Sequence, residues 1–199
     1  MAGRGGQVNP LLATDDIAIR TERLVLRGWR EEDRPAFHAL LNTPAVTRWL
    51  GGVRDAAHMD ALFDKRMADQ ARDGHCYWAV TLAGTGALIG TCGLRRAMNY
   101  PGKPVAGMME AGWRFGEAFW GLGYAREAAL ASLAWGWTHS SAPWIGAWTT
   151  QENVPSWRLM LGIGMVRAPM LDFDRPAPPD GQTTERQLVH LIVRPETQP

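Results

Sequence analysis

Cysteine is scarce in this sequence. Only Cys76 and Cys92 occur among 199 residues, and they do not form a CxxC pair. Without such a pair a catalytic or metal-binding role for either thiol has no support, and no spacing of His, Asp and Glu suggests a metal. Because each cysteine falls in an apolar, strand-like segment, we predict two buried thiols and no metal cofactor.

Long hydrophobic runs are also lacking. No apolar run reaches the roughly 18 residues that a membrane-spanning helix needs. The first residues, MAGRGGQVNPLLATDD, lack the extended apolar core of a signal peptide. We therefore expect a cytoplasmic protein with no membrane partner.

An excess of one charge is the third absence. The chain has 21 basic and 20 acidic side chains, a net charge of +1, with no basic block. Nucleic-acid binders neutralise phosphates with clustered Lys and Arg, so we expect no nucleic-acid partner. A composition of 46% hydrophobic and 21% charged residues suits a single globular domain. We predict a flexible arm over residues 1–18 and one domain over residues 19–195.

Hydrophobic periodicity and glycine punctuation predict a mixture of strands and helices. The predicted strands are 20–29, 75–82, 86–96, 108–119, 142–151, 165–174 and 185–194. The predicted helices are 30–42, a short one from Thr43, 57–73, 123–138 and one from Asn153 to Gly162 or Gly164. The second to fourth strands follow one another as an antiparallel meander, which indicates an α+β fold rather than a doubly wound parallel sheet.

The stretch AFWGLGYAREA, residues 118–128, carries the first functional signal. Gly121 and Gly123 stand between a predicted strand and a predicted helix. Such a turn leaves main-chain N–H groups unpaired at a helix N-terminus, where they suit a phosphate. A Cβ at either glycine would obstruct the phosphate or the required φ. Taken alone, the motif favours a tight strand-to-helix turn that binds nothing.

Two nucleotide-binding motifs fit this stretch poorly. A dinucleotide site needs G-x-G-x-x-G after the first strand and an acidic residue about 20 residues later. Here Arg126 holds the third glycine's place, and the motif lies in the second half of the chain. A Walker loop requires GK[ST], which does not follow.

Three segments together carry a resemblance to a known family. They are EAGWRFGEAFWGLGYAREA, then TTQENVPSWRLMLGIGM, and the opening IRTERLVLRGWREEDRPAFHALLNTPAVTRWLGG. In this combination the sequence resembles the GNAT superfamily of acyl-CoA-dependent N-acetyltransferases. It is most similar to the branch that contains the ribosomal-protein N-terminal acetyltransferases. The resemblance runs from about Ile19 to Val193, nearly the whole chain.

This resemblance implies a fold and a cosubstrate. It implies a mixed, mostly antiparallel sheet flanked by helices and splayed open between its fourth and fifth strands, with acetyl-CoA in the splay. The pantetheine arm would pair with the strand near Trp113 and Phe115, and Asn153 would reach the pantetheine or the thioester. The pyrophosphate would lie on the amides of Trp120, Gly121, Leu122, Gly123, Tyr124 and Ala125.

The sequence departs from the family pattern at two positions. The phosphate loop has Ala118 where many members carry a polar or cationic residue. Met160 stands where many members have a tyrosine that protonates the leaving thiolate. One phosphate contact and the usual acid are therefore missing.

The family chemistry, transfer of an acetyl group to an amine, requires a base and an acid. Glu110 is the candidate base; the alternative is a glutamate that binds the substrate ammonium or pairs with an arginine. Ser156 is the candidate partner of the CoA sulfur; the alternative is a helix N-terminal hydrogen bond. The backbone N–H near Phe115 is a candidate donor to the acetyl carbonyl. For Tyr124 we favour a place in the aromatic wall of the turn over a donor role. His75 and His190 fit core or edge positions better than a site.

The acceptor is less specified than the cosubstrate. The family places acceptors near segments that here carry Trp49, Arg54, Tyr100 and Lys103. We expect a small-molecule or peptide amine as the partner, and the family suggests a possible homodimer. The rival function is a non-catalytic acyl-CoA-binding or sensor module on the same fold.

Overall fold

The structure, a computed structural model, describes residues 17–176 and 184–196. Its strands are β1 (Ile17–Arg20), β2 (Leu24–Arg27), β3 (Tyr77–Leu82), β4 (Leu88–Arg96), β5 (Met109–Phe115), β6 (Trp144–Thr149), β7 (Val166–Arg167), β8 (Phe173–Pro176) and β9 (Thr184–Val193). Its helices are α1 (Arg34–Leu41), α2 (Pro44–Thr47), α3 (Ala56–Asp73), α4 (Tyr124–His139) and α5 (Val154–Gly162).

One sheet runs through the described residues. Its strand order is β1-β2-β3-β4-β5-β6-β9-β7, and β8 pairs with β9 outside this path. Every neighbouring pair is antiparallel except β5 and β6, which run parallel. The predicted α+β class and the predicted antiparallel meander are therefore confirmed.

Local sequence signals explain the long helix α3. The Asp55 side chain accepts a hydrogen bond from the His58 amide at 2.8 Å, which caps the first turn. Gly74 ends the helix in the left-handed conformation, with φ 73°. The buried face of α3 carries Met59 and Phe63, as the helical spacing predicts.

The core lies between the sheet and helices on both of its faces. On one face Trp29, Phe37 and Phe63 pack edge to face, with ring centroids 5.2 to 5.6 Å apart. On the other face Trp135 of α4 packs against Trp78 of β3, with centroids 4.9 Å apart. Cys76 and Cys92 are buried and unpaired, as predicted, and burial raises the pKa of each thiol to about 12.

The structure differs from the predicted elements at both ends of the chain. The strand predicted for 20–29 is two strands, β1 and β2, joined by a turn at residues 21–23, so β1 begins inside the segment predicted as an arm. The strand predicted for 165–174 is broken by a 3-10 turn at Pro169–Leu171, because proline has no N–H for a sheet ladder. Residues 1–16 of the predicted arm lie outside the described residues.

Candidate active site

The parallel strands β5 and β6 separate soon after they meet. They pair only at Met109 with Ile145 and at Glu110 with Gly146. Both strands continue beyond these positions, to Phe115 and Thr149, without pairing to each other. These are the fourth and fifth strands predicted from the sequence, so the predicted splay is confirmed. Because the strands are parallel, α4 and α5 both begin at the open end of this gap.

Main-chain groups of β5 face into the gap. At the end of the β4–β5 ladder the Gly116 N–H donates to the Ile89 carbonyl at 3.1 Å. Antiparallel strands bond in alternating pairs, so the even-numbered residues of β5 bond to β4. The N–H and C=O groups of Trp113 and Phe115 therefore point into the gap. One of these groups is occupied, since the Phe115 carbonyl accepts a hydrogen bond from the Trp120 indole at 2.7 Å.

The turn between β5 and α4 depends on its two glycines. Gly121 and Gly123 have φ values of 73° and 80°, in the left-handed region that disfavours other residues. A Cβ added at Gly121 would meet no atom within 4 Å. The backbone conformation, and not crowding within the protein, is thus what requires glycine there. Gly123 is the N-cap of α4 and provides no capping side chain.

The amides of this turn are available to a ligand. Within residues 17–176 and 184–196, the N–H groups of residues 121–125 have no hydrogen-bond acceptor. They surround the N-terminus of α4, where the helix dipole adds partial positive charge. The Trp120 amide was predicted to belong to this set, and that prediction is wrong. It donates to the Glu117 carbonyl at 3.2 Å. The 3-10 turn at Glu117–Phe119 uses that group.

Arg23, just before β2, holds the phosphate turn in place, a role that the sequence did not indicate. Its Nη1 donates to the Leu122 carbonyl at 3.0 Å and its Nε to Glu127 at 2.6 Å. Its guanidinium lies 4.6 Å from the centre of the Tyr124 ring. A cation therefore stands beside the phosphate turn although Ala118 provides none. Tyr124 stacks on this arginine, which agrees with the predicted wall position.

Glu110 occupies the last paired position before the gap opens. It is 8% exposed. Arg95, its partner on β4, donates from Nε to Oε2 at 2.9 Å, and its Nη2 lies 2.8 Å from the same oxygen. Burial raises the pKa of the Glu110 carboxyl, against the lowering effects of the Arg95 charge and of a hydrogen bond with Tyr77. The alternative of an arginine pair is thus observed, and it leaves Oε1 free of Arg95.

Tyr77 joins Glu110 and Arg95 in one group of side chains, although it was not among the predicted site residues. A Cβ on Gly112 would come within 2.7 Å of the Tyr77 hydroxyl. Only a glycine at 112 therefore lets the tyrosine lie across β5 and reach Glu110. Burial raises the pKa of Tyr77 well above its usual range, so its hydroxyl keeps its proton. The glycine in the motif EAGW is the signal that could have indicated this close approach.

The start of α5 places Asn153 and Ser156 at the other side of the gap. Asn153 is the N-cap residue, but its Nδ2 donates to the Thr149 hydroxyl at 2.9 Å instead of capping the helix. Within the described chain the Ser156 hydroxyl makes no hydrogen bond, so the predicted alternative of helix capping is not observed. Met160 is 1% exposed, in the core.

The residues predicted near the acceptor do not form one group. Arg54 lines a small pocket together with Arg114 of β5. Tyr100 instead packs against Trp148 and Phe173, with ring centroids 5.3 and 5.4 Å apart. Lys103 belongs to the same loop as Tyr100.

The two histidine candidates take the core positions predicted for them. His75 and His190 are buried, at 8% and 4% exposure, and the His75 Nδ1 lies 2.9 Å from the Leu94 carbonyl.

In the parts of the chain that the structure describes, no three His, Cys, Asp or Glu side chains come together as a metal site. Nor is any described helix both long and apolar enough to cross a membrane.

Comparison with known proteins identifies relatives of this arrangement. Residues 23–166, more than half of the chain, match a family described as acetyltransferase (GNAT) domain. The chain is 31% identical over 150 residues to the uncharacterized N-acetyltransferase YnaD of Bacillus subtilis, covering 75% of this chain and 82% of that one.

Solved structures share the fold. An acetyltransferase (GNAT family) from Bacillus anthracis has a TM-score of 0.70 and 27% identity, covering 88% of this chain and 98% of its own. The ribosomal-protein-S5-alanine acetyltransferase of Vibrio fischeri gives 0.67 and 14%, covering 91% and 98%. The spermidine N-acetyltransferase of Vibrio cholerae, in complex with CoA and spermine, gives 0.66 and 19%, covering 87% and 97%. The last two show likeness of fold alone.

Proposed function

Because the chain belongs to the GNAT family of acetyltransferases, we propose that it moves the acetyl group of acetyl-CoA to a primary amine. The amine attacks the thioester directly, with both substrates bound. The acceptor is a small-molecule amine or a peptide N-terminus. The observation that carries this proposal is the set of unbonded amides at residues 121–125, placed where the gap between β5 and β6 opens.

The CoA diphosphate binds at the turn. Phosphate oxygens accept hydrogen bonds from the amides of Gly121, Leu122, Gly123, Tyr124 and Ala125, and the α4 dipole favours their negative charge. The turn is exposed, so the phosphates remain partly in water.

The pantetheine arm follows β5 as an added strand. The main chain of Trp113 and the Phe115 N–H face the gap and offer it hydrogen bonds. Asn153 approaches from the start of α5, and its side-chain oxygen accepts nothing from the described residues. Trp120 closes the outer end of the gap, because its indole is fixed to the Phe115 carbonyl. This path directs the thioester toward Glu110.

Glu110 is the base, either directly or through a water molecule. The attacking amine must be neutral, and once it has added to the carbonyl carbon it carries an extra proton. The carboxylate accepts that proton, while the Phe115 N–H, five residues and roughly 16 Å farther along β5, binds the pantetheine arm. The raised pKa of Glu110 brings it closer to working pH, where a base transfers protons most effectively.

Ser156 supports the departing sulfur. The C–S bond breaks as the new C–N bond forms, and the electron pair remains on sulfur. The Ser156 hydroxyl donates a hydrogen bond to this thiolate in place of the tyrosine absent at Met160. No covalent intermediate with the protein is needed, since alignment of two bound reactants can itself lower the barrier by about 7–11 kcal/mol.

Two measurements test the proposal. Thermal unfolding with acetyl-CoA, ATP or NAD should show a higher melting temperature with acetyl-CoA alone, since a ligand specific for the folded state stabilises it. Release of CoA thiol should then appear on a panel of amino acids, peptide N-termini, polyamines and aminoglycosides. Stabilisation by acetyl-CoA without turnover of any amine would favour a non-catalytic acyl-CoA-binding module. Stabilisation by ATP or NAD, and none by acetyl-CoA, would contradict the proposal.

A further inference from the structure

Five side chains from four elements meet on the face of the sheet that α3 covers. We call them the Tyr77 cluster: Arg66 of α3, Tyr77 of β3, Arg95 of β4, and Glu110 and Arg114 of β5. The guanidinium groups of Arg66 and Arg95 lie 4.5 and 5.1 Å from the centre of the Tyr77 ring. Glu110 and Arg114 are both even-numbered residues of β5, so their side chains share this face.

The cluster carries more positive charge than the described residues neutralise. It contains three arginines and one carboxylate, and Glu110 pairs with Arg95 alone. In residues 17–176 and 184–196, neither Arg66 nor Arg114 forms an ion pair or donates a hydrogen bond to a carboxylate. Arg66 is 7% exposed, and its Nε is buried without a partner. A charge that is buried, as in Arg66, or half-buried, as in Arg114, is expensive without a counter-charge, so this arrangement favours a bound anion.

Burial affects the ionisation of both arginines in the same direction. It lowers the pKa of Arg66 and lowers that of Arg114 to about 10. The Arg95 charge lowers the pKa of Arg66 further, and the Arg66 charge lowers that of Arg114. Arg114 therefore keeps its charge at neutral pH.

A pocket opens onto this charge. It is lined by Arg114, Arg54, Thr47, His58 and neighbouring residues of the α1–α3 segment. No carboxylate is among the described residues that line it, and two arginines are. Of the Tyr77 cluster, Arg114 is the member that lines this pocket, and the charge of the pocket favours anions.

We propose that the acceptor amine of this enzyme also carries an anionic group, most simply a carboxylate, which Arg114 and Arg66 hold while the amine faces Glu110. This inference rests on the proposed acetyl transfer and adds the substrate class, amino acids and related acidic amines. A polycation is disfavoured, because it would have to enter a pocket that already carries unpaired positive charge.

The test compares amines in matched pairs. The substrates are ω-amino acids in a series of chain lengths, each paired with its uncharged amide. Each pair is assayed with wild type, with Arg114→Gln and, as the control, with Arg96→Gln. Arg96 is an exposed arginine of β4, on the opposite face from Arg95. The kcat/KM of wild type and of Arg96→Gln should favour the best acid over its amide by about tenfold or more, the value of a charge-assisted pair. In Arg114→Gln the preference should largely vanish through a higher KM for the acid. Equal rates for acid and amide in wild type, or an unchanged preference in Arg114→Gln, would overturn the inference.

A binding measurement separates this inference from the proposed function. Succinate, compared with potassium chloride at equal ionic strength, should raise the melting temperature of wild type and of Arg96→Gln but not of Arg114→Gln. No succinate effect in wild type would overturn the anion site even if amines are acetylated. A weakened affinity of Arg114→Gln for acetyl-CoA would also overturn it, because the charge would then serve the cosubstrate. Absence of both acetyl-CoA binding and turnover would instead refute the acetyl transfer on which the inference rests.

Discussion

The turn after β5 and the face of β5 that α3 covers are built to recognise different chemistry. The turn at residues 121–125 offers main-chain amides, is mostly exposed and has no charged residue of its own. The Tyr77 cluster, which spans β5 from Glu110 to Arg114, offers charged side chains that are buried or half-buried. The turn is determined by backbone conformation, and the cluster by which residues are brought together.

This difference determines how each region responds to substitution. Main-chain amides persist under most substitutions, so the turn tolerates change wherever its φ angles are kept. The cluster has no such tolerance, because removal of one charged member leaves its neighbours buried and unpaired.

Glu110→Gln should lower the rate of acetyl transfer by about 100-fold, the lower end of what a positioned base contributes. The carboxylate is present above its pKa, which burial raises, and it becomes protonated as the pH falls. At high pH the acceptor amine is already neutral and needs the base less. The deficit relative to wild type should therefore be largest just above the pKa of Glu110 and should shrink as the pH rises. Steady-state rates across pH give this measurement.

The affinity for acetyl-CoA provides the control for Glu110→Gln. It should remain close to that of wild type, since the phosphate turn is at the other end of β5. A rate equal to wild type at every pH would remove Glu110 as the base. A parallel loss of acetyl-CoA affinity would show that the two ends of β5 are not independent.

The same contrast explains what the sequence could reveal. The turn is local: a strand, Gly121, Gly123 and a helix follow one another, so its conformation and its free amides could be predicted. The Tyr77 cluster draws on residues between Arg66 and Arg114, whose proximity depends on the register of β3, β4 and β5. Glu110 was predicted, but Arg95 and Tyr77 were not, because nothing in their own neighbourhood indicates that they meet.

The boundaries of helices and strands were likewise predictable only where local residues determine them. The start and end of α3 were predicted closely, because Asp55 and Gly74 are local caps. β1 was missed, since its pairing with β2 depends on a contact and not on its own periodicity. The interruption at Pro169 was overlooked within an otherwise strand-like segment.

Gly121→Val tests the turn by changing its backbone. A β-branched residue at φ 73° is strained by about 1–2 kcal/mol, and its relief moves the neighbouring amides away from the diphosphate. We expect the Kd for acetyl-CoA to rise by about tenfold or more, measured by calorimetry, with a melting transition still present. Leu122→Val is the matched control, because residue 122 has no positive φ and the substitution retains the amide.

Equal losses of affinity in Gly121→Val and Leu122→Val would contradict the backbone explanation and would indicate contacts with the side chains of the turn. An unchanged affinity in both variants would place the diphosphate elsewhere.

Ser156→Ala should have the smallest effect, a decrease in kcat of about tenfold, since the loss is one hydrogen bond to a charged leaving group. The KM for acetyl-CoA should change little, because the bond strengthens only as the thiolate forms. The hydroxyl makes no hydrogen bond within the described chain, so its removal leaves no partner unsatisfied and the melting temperature should stay near that of wild type. Ser141→Ala, at an exposed position after α4, controls for loss of a hydroxyl. An unchanged kcat in Ser156→Ala would mean that the thiolate leaves without help from α5, and that water supplies the proton which Met160 cannot donate.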